Sequence, residues 1–568
     1  MKKNVIYLLT IILLINCFVG CGQQNNVSQT TAAVTTLTEI ATTTTTTATT
    51  QTTKETVTET QTTQAPAAEG PYMKFPEPVT VTGALGWTAG INADLDFEDN
   101  PWTRLYLEKY NIIIKYLWIV DESQYKEKVN LSIASGEIPD FIKVSDTQFQ
   151  QMYDAGMTTD VQDVYEKFTT DTTKQFIIEN GQGVIQASSR GGRMHAIPYT
   201  VMRQEAAPIL MVDNDWLTKT GVNEINSIND FETFLKNASD NKLGGVSYSL
   251  PEDKDLVTFK YLAAMYKSYP DDFWVTLPDN TLAFGAIQPE TKDALIKFQE
   301  WYQKGWLDPE FGTKDWGKLM EDAAAGRMGI FPVAFWGPLG IHQAYKNNQA
   351  DFDLTMFEIP CIEGKVTLPY QLALDNYWVT NPGCKYPEAF PLMLNSWMEI
   401  FYTSTDPQIG REYINAEDGS QIWTYSYAQA YRAYKNYDQS VSIQNWLDGK
   451  EKMEDLTADT KNVAQSIEKY LAGDNSMWAW YKIYGPKGSF SVIEKYLSNK
   501  QHLMTSFYGP TTETMADKKE ILKKLMEESF TRIIRGSDIN EFDEFVKQWN
   551  DLGGAEITRE VNEWNKNK

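Results

Sequence analysis

TLAFGAIQPETKDALIKFQEWYQKGWLDPEFGTKDWGKLMEDAAAGRMGIFPVAFWGP spans residues 281–338. In order it reads as a short strand (Leu282 to Phe284), a helix opened by Pro289, a turn, a second helix ending near Gly326, a buried strand (Met328 to Phe331) and an aromatic loop around Trp336. Proline in the first helical turn forfeits no hydrogen bond, because that N–H has no intrahelical partner. Leu295, Phe298, Trp301 and Tyr302 then fall on one helical stripe, and Gly305 can end the helix in a left-handed conformation. The small run Ala323-Ala324-Ala325-Gly326 lets the second helix lie close to a sheet before the chain turns into the apolar strand. A helix feeding a strand that ends in exposed aromatics is how α/β proteins build a ligand cleft.

The preceding chain alternates in the same way. Val79 to Leu85 reads as a strand ending in Gly86-Trp87-Thr88-Ala89-Gly90, Trp102 to Tyr110 as a helix, Ile112 to Trp118 as a strand and Tyr125 to Ala134 as a helix. Gly136 and Pro139 stop that helix, and Phe141 to Val144 begins a third strand. Such alternation predicts a mainly parallel sheet with helices on its faces. Gly192 to Tyr199 reads as a hairpin leading into a crossing strand, followed by a strand (Ile209 to Val212), a short helix (Asp213 to Thr220) and a longer one (Ile228 to Ala238) capped by Ser227 or Asn229. At the other end, Leu522, Leu525, Phe530, Ile533 and Ile534 keep helical spacing and stop at Gly536. Asp538 with Glu541 resembles a capping arrangement before Phe542, Phe545, Val546 and Trp549, and Ile557, Val561 and Trp564 make a last short amphipathic turn.

Residues 1–21 stand apart from any core. Lys2-Lys3 followed by the apolar run Val5 to Val19 has the charged and apolar regions of a secretory signal, and is short for a membrane span. Phe18-Val19-Gly20-Cys21 resembles a bacterial lipobox, which implies cleavage before Cys21 and diacylation of its thiol. Two acyl chains give stable membrane attachment where one does not. Residues 22–70 are dominated by threonine and nearly devoid of large apolar residues, so a disordered tether with a reach of roughly 40 Å is expected. Its hydroxyls are candidate sites for O-linked sugars.

The formal net charge is −25 over 568 residues. A surface this acidic disfavours nucleic acid and anionic lipid head groups, so the anchor is the lipid and not a basic patch. Beyond the leader and Cys21 the cysteines are Cys361 and Cys384, which leaves a single disulfide and two buried thiols as alternative readings. Walker loops, HExxH, CxxC and GxSxG are absent, and His195, His342 and His502 are too scattered for an obvious triad or a histidine-rich metal site, so no cofactor is predicted. Asp94 to Asp99 alternates carboxylates, but Asp99 and Leu105 stand where an EF-hand needs glycine and glutamate. Carboxylate pairs are too abundant among 76 acidic residues to identify a glycosidase.

Five strings, SGEIPDF at 135–141, HAIPY at 195–199, DWLTKTG at 215–221, KGWLDPEF at 304–311 and the C-terminal GPTTETM to EITREVNEW, occur in order. Together they resemble the family 1 extracellular solute-binding lipoproteins of ABC importers, in the LipO-like branch, from about Val79 to Trp564. The resemblance implies a periplasmic-binding-protein-like type II fold: two α/β lobes with a hinge and a ligand cleft between them. One lobe would be residues 78–203 with about 366–435, the other 204–365 with about 436–568, with crossings at Tyr199 to Arg203 and Thr367 to Gln371. It implies a non-catalytic, monomeric receptor, lipid-anchored on the extracellular face, that delivers a solute to ABC permease subunits.

Aromatic content, with 17 Trp and 30 Tyr, suits an oligosaccharide: sugar C–H faces lie flat on rings while hydroxyls pair with polar side chains. The expected ligand contacts are Trp87, Tyr199, Trp336, Trp378, Trp423 and Tyr425, with Asp375 and Asn376 as polar partners. Each has packing between helix and sheet as its alternative role, and Trp216, Trp301 and Trp306 are read as core. A glycan-active hydrolase and a peptide receptor of the same fold remain the competing functions.

Overall fold

Apolar side chains gather into two separate cores in the computed structural model, which describes residues 69–87, 95–179, 181–416 and 421–567. The leader, Cys21 and all but the last two residues of the threonine-rich segment lie outside the described residues. The first core runs from Phe75 to Ile197 and resumes from Leu372 to Ala458; the second takes Ala207 to Leu368 and Ile443 to Val561.

In the first lobe, strands Val79–Trp87 and Ile112–Asp121 pair in parallel, Val79 opposite Ile112 and Trp87 opposite Asp121. Strand Leu374–Thr380 lies between Phe141–Val144 and Ile197–Thr200, antiparallel to both. In the second lobe, Ile209–Asp213 is likewise flanked by antiparallel partners, Ile330–Val333 and Leu354–Phe357. The sheets are therefore not mainly parallel. Alternating helix and strand constrains chain neighbours, whereas each central ladder here is completed by a strand returning from more than a hundred residues away, free to run in either direction.

The 281–338 segment folds largely as its periodicity predicts. Helix Pro289–Gln303 starts on its proline and buries Leu295, Phe298 and Trp301 completely, a contribution of about 1.5–3 kcal/mol per large side chain. Gly305 and Gly326 close the two helices at φ 72° and 69°. The following strand is Ile330–Val333, two residues later than predicted. Gly329 passes the Trp216 ring so closely that a Cβ there would lie 2.0 Å from the indole, and its carbonyl already accepts the Asp213 N–H at 2.9 Å. Pro332 is tolerated because this is the edge strand of its sheet.

Two further predictions are corrected. Helix Glu541–Trp549 has Asn540 at its N-cap with no side-chain cap bond; Asp538 accepts the Asn540 N–H at 2.9 Å in the preceding turn. The last amphipathic turn is a helix, Ala555–Lys566. Trp216, Trp301 and Trp306 are buried as expected, and Cys361 and Cys384 are free thiols packed against different cores.

Candidate ligand cleft

Three chain passages join the cores, and they bound a cleft whose walls come from both. Thr200 and Tyr431 exchange two hydrogen bonds, Tyr431 N–H to the Thr200 carbonyl at 2.9 Å and Thr200 Oγ1 to the Tyr431 carbonyl at 2.8 Å. Strand Leu368–Tyr370 pairs in parallel with His502–Met504, and the chain beyond it, through Phe507 and Tyr508, packs on both cores in turn. Buried Glu205 accepts the backbone N–H groups of Asn436 and Tyr437 at 3.1 and 2.8 Å, tying the first passage to the start of helix Lys435–Leu447. Burial pushes its carboxyl up to about 7 despite those donors.

One part of the cleft, about 940 Å³ counted to its open mouth, is walled by Tyr261, Tyr269, Phe273, Trp336 and Tyr370. The adjoining part, about 1020 Å³, is polar, with Arg203, Gln371, Asp375, Asp146, Asp272 and Lys519 beside Trp274 and Tyr508. Arg203 pairs with Asp375 at 2.9 Å, and Asn376 Nδ2 donates to Asp375 Oδ2 at 3.2 Å. Lys519 reaches Asp272 at 2.7 Å and Asp146 at 3.9 Å, and Thr511 donates to Asp146 at 2.7 Å. Burial works against the charge on Asp146, but Lys519 and Thr511 outweigh it and hold the carboxyl below its usual range. Among the described residues no group of three or more His, Cys, Asp or Glu could hold a metal ion.

The structure divides the expected contacts. Trp336 is 46% exposed on the aromatic wall and Asp375 lines the polar part. Tyr199 is half-buried opposite Asn376 in the sheet, with the Lys143 ammonium 5.1 Å from its ring. Trp378 is 5% exposed and Tyr425 3%, so neither offers a ring face to a ligand. Trp378 faces Phe390 of helix Ala389–Tyr402, at 4.9 Å, and donates to the Gln429 carbonyl; the Tyr425 hydroxyl meets the backbone of Leu95. Half-buried Trp423 packs on Trp397, and half-buried Trp87 meets Phe97 edge-on at 5.4 Å; neither is among the residues lining this cleft. Apart from Trp336 the aromatic wall has a weak sequence signal, the string Tyr269-Pro270-Asp271-Asp272-Phe273-Trp274, which crowds aromatics and acids into one loop. Arg203 and Lys519 carried no local signal. The histidines make local bonds: His195 with Thr158 Oγ1 at 3.0 Å, His342 with the Gly337 carbonyl at 2.5 Å, His502 with the Gln204 carbonyl at 2.9 Å.

This architecture and sequence have known counterparts. The fructooligosaccharide ABC transporter substrate-binding protein FusA of Streptococcus pneumoniae is 22% identical over 231 residues, 38% of this chain and 43% of its own. Lipoprotein LipO of Bacillus subtilis is 24% identical over 235 residues, 39% of this chain and 45% of its own. The chain thus spans less than half the length of the curated relatives it matches. The alginate-binding protein AlgQ2 superposes with a TM-score of 0.60 at 15% identity over 87% of this chain and 99% of its own. FusA in complex with kestose gives 0.56 at 14% identity, over 86% and 99%. These likenesses show the fold, a periplasmic-binding-protein-like pair of α/β lobes. Residues 104–399, just over half of the sequence, match the family described as bacterial extracellular solute-binding protein, and the chain belongs to that family.

Proposed function

We propose that this chain is the solute-capturing component of an ABC importer and that its ligand is an oligosaccharide held between the lobes. On this reading the lobes are residues 78–203 with about 366–435 and 204–365 with about 436–568. The observation that carries it is the cleft itself: an aromatic wall centred on exposed Trp336 adjoins a polar part lined from both lobes and their crossings, with Asp146 and Asp375 on one side and Asp272 and Lys519 on the other. Stacking against sugar C–H faces and hydrogen bonding to hydroxyls need those two surfaces side by side. FusA, which shares the fold, is a fructooligosaccharide-binding protein, and this supports the same ligand class here.

Trp336 and Asp375 are the ligand contacts we favour, with Arg203 and Tyr370 added by the geometry. Tyr199 and Asn376, paired across the sheet beside Asp375 and outside the cleft lining, would join them on closure. Ligand touching both lobes stabilises the closed arrangement, the state a permease would recognise. The receptor is non-catalytic and monomeric, and diacylated Cys21 anchors it on the extracellular face of the cell membrane, reading the lipobox as it stands. Titration of tryptophan fluorescence with glycan and peptide panels, followed by product analysis, tests this. Saturable glycan binding with intact glycan recovered is expected. Cleaved glycan would replace the receptor with a hydrolase, and a response to peptides alone would replace the ligand class.

A further inference from the structure

The ionisable side chains lining the cleft are already matched to one another. Arg203 is held by Asp375 at 2.9 Å, Lys519 by Asp272 at 2.7 Å and Asp146 at 3.9 Å, and Lys260 by Glu527 at 3.1 Å and Asp271 at 4.0 Å. Among the described lining residues these three cations face four carboxylates, Asp146, Asp271, Asp272 and Asp375. The Arg203 Nε–H has no partner but is enclosed and out of solvent. Lys143, on the strand beside Tyr199, has its ammonium over the rings of Tyr125 and Tyr199 at 5.6 and 5.1 Å, so two π faces already engage its charge.

A sugar carboxylate entering this cleft needs a cation, and each cation it could take leaves a protein carboxylate unpaired in a partly desolvated site. Uncharged hydroxyls make no such demand. They donate to carboxylate lone pairs and accept from leftover N–H groups while the ion pairs stay intact. The net charge of −25 adds long-range repulsion of anions. The fold leaves the choice open, since AlgQ2 binds alginate, a polyuronate, and FusA a neutral fructan.

We propose, resting on the oligosaccharide reading above, that the cleft selects neutral oligosaccharides over uronic-acid-containing ones and that the Arg203–Asp375 pair is a specificity-determining element. Arg203 is held as a positioned donor for hydroxyl oxygens, with its charge spent on Asp375.

Calorimetry on the full chain tests this with the tightest-binding neutral oligosaccharide from a fructo-, malto- and xylo-oligosaccharide panel, and with the same compound after oxidation of its primary hydroxyls to carboxylates. An oligogalacturonide and an oligoalginate complete the set. The charged form is expected to bind at least about tenfold more weakly at low salt. Asp375→Asn frees Arg203 and should narrow that ratio, while the double variant Arg203→Gln with Asp375→Asn should restore it, which separates lost pairing from lost folding. Uronate binding as tight as neutral binding overturns the selectivity, and an unchanged ratio in Asp375→Asn overturns the assignment to this pair. Binding of peptides but of neither glycan class would instead bring down the oligosaccharide reading, and this inference with it.

Discussion

Lys314 is 8% exposed, with its ammonium 2.7 Å from Asp308, 3.1 Å from Asp322 and 3.2 Å from the Tyr248 hydroxyl. Burial alone would lower its pKa, but these partners more than compensate and hold it well above the usual lysine value. Lys314→Met would leave two buried carboxylates with one cation, Arg327, between them, and is expected to cost about 3–5 kcal/mol in chemical denaturation. The sequence marked Asp308-Pro309-Glu310-Phe311 as a turn; that Asp308 is fully buried against a lysine six positions on was not visible, because a charge looks solvated until its neighbours are known. Two tryptophans draw the same distinction. Trp336→Ala should weaken ligand binding by roughly 10- to 100-fold with a nearly unchanged melting temperature. Trp378→Ala, by emptying a packed site, should instead destabilise the fold by about 3–5 kcal/mol. Equal effects of both on stability would mean that Trp336 is a packing residue.

Two helix starts are met by buried glutamates from outside the cap position. Glu252 accepts the N–H groups of Thr258 and Phe259 at 2.9 and 2.7 Å at the start of helix Val257–Leu262, as Glu205 does for helix Lys435–Leu447. Burial pushes their carboxyls up to about 8 and about 7, from an ordinary 4.5. The folded protein therefore keeps protons that the unfolded chain has lost. Their stabilising contribution is full below about pH 4.5 and is lost as pH rises through about 7 for Glu205 and about 8 for Glu252. The three histidines, all held below their usual 6.5, slope the other way below that pH, so the informative comparison is between wild type and variant. Glu205→Gln should flatten the decline between pH 5 and 8 by on the order of 3 kcal/mol in denaturant-derived stability. A slope identical to wild type would show that Glu205 is ionised throughout. Helix existence and most ends were legible from proline, glycine and the apolar stripe, as in Pro289–Gln303. These caps were not, since their carboxylates lie 6 residues away for Thr258 and 231 for Asn436.

Across the whole molecule, three passages joining two cores form a hinge whose closure ligand should favour. Small-angle X-ray scattering should record a smaller radius of gyration with saturating oligosaccharide, and ligand at 100 times its Kd should add about 2.7 kcal/mol of stability. An unchanged radius despite tight binding would rule out closure as the response. The chain changes core between Ile197 and Ala207 and again between Leu368 and Leu372. Local chemistry was enough for this much: an α/β chain of helices punctuated by Pro289, Gly305 and Gly326, cores built on Trp301 and its neighbours, and a family membership carried by short strings. Strand direction and the composition of the cleft required the tertiary structure. Strand Leu374–Thr380 enters its sheet antiparallel from 230 residues beyond Phe141–Val144, and Arg203 meets Asp375 across 172 positions. Pattern and propensity act over a few residues, whereas pairing direction and charge matching are settled by which distant segments the packing brings together.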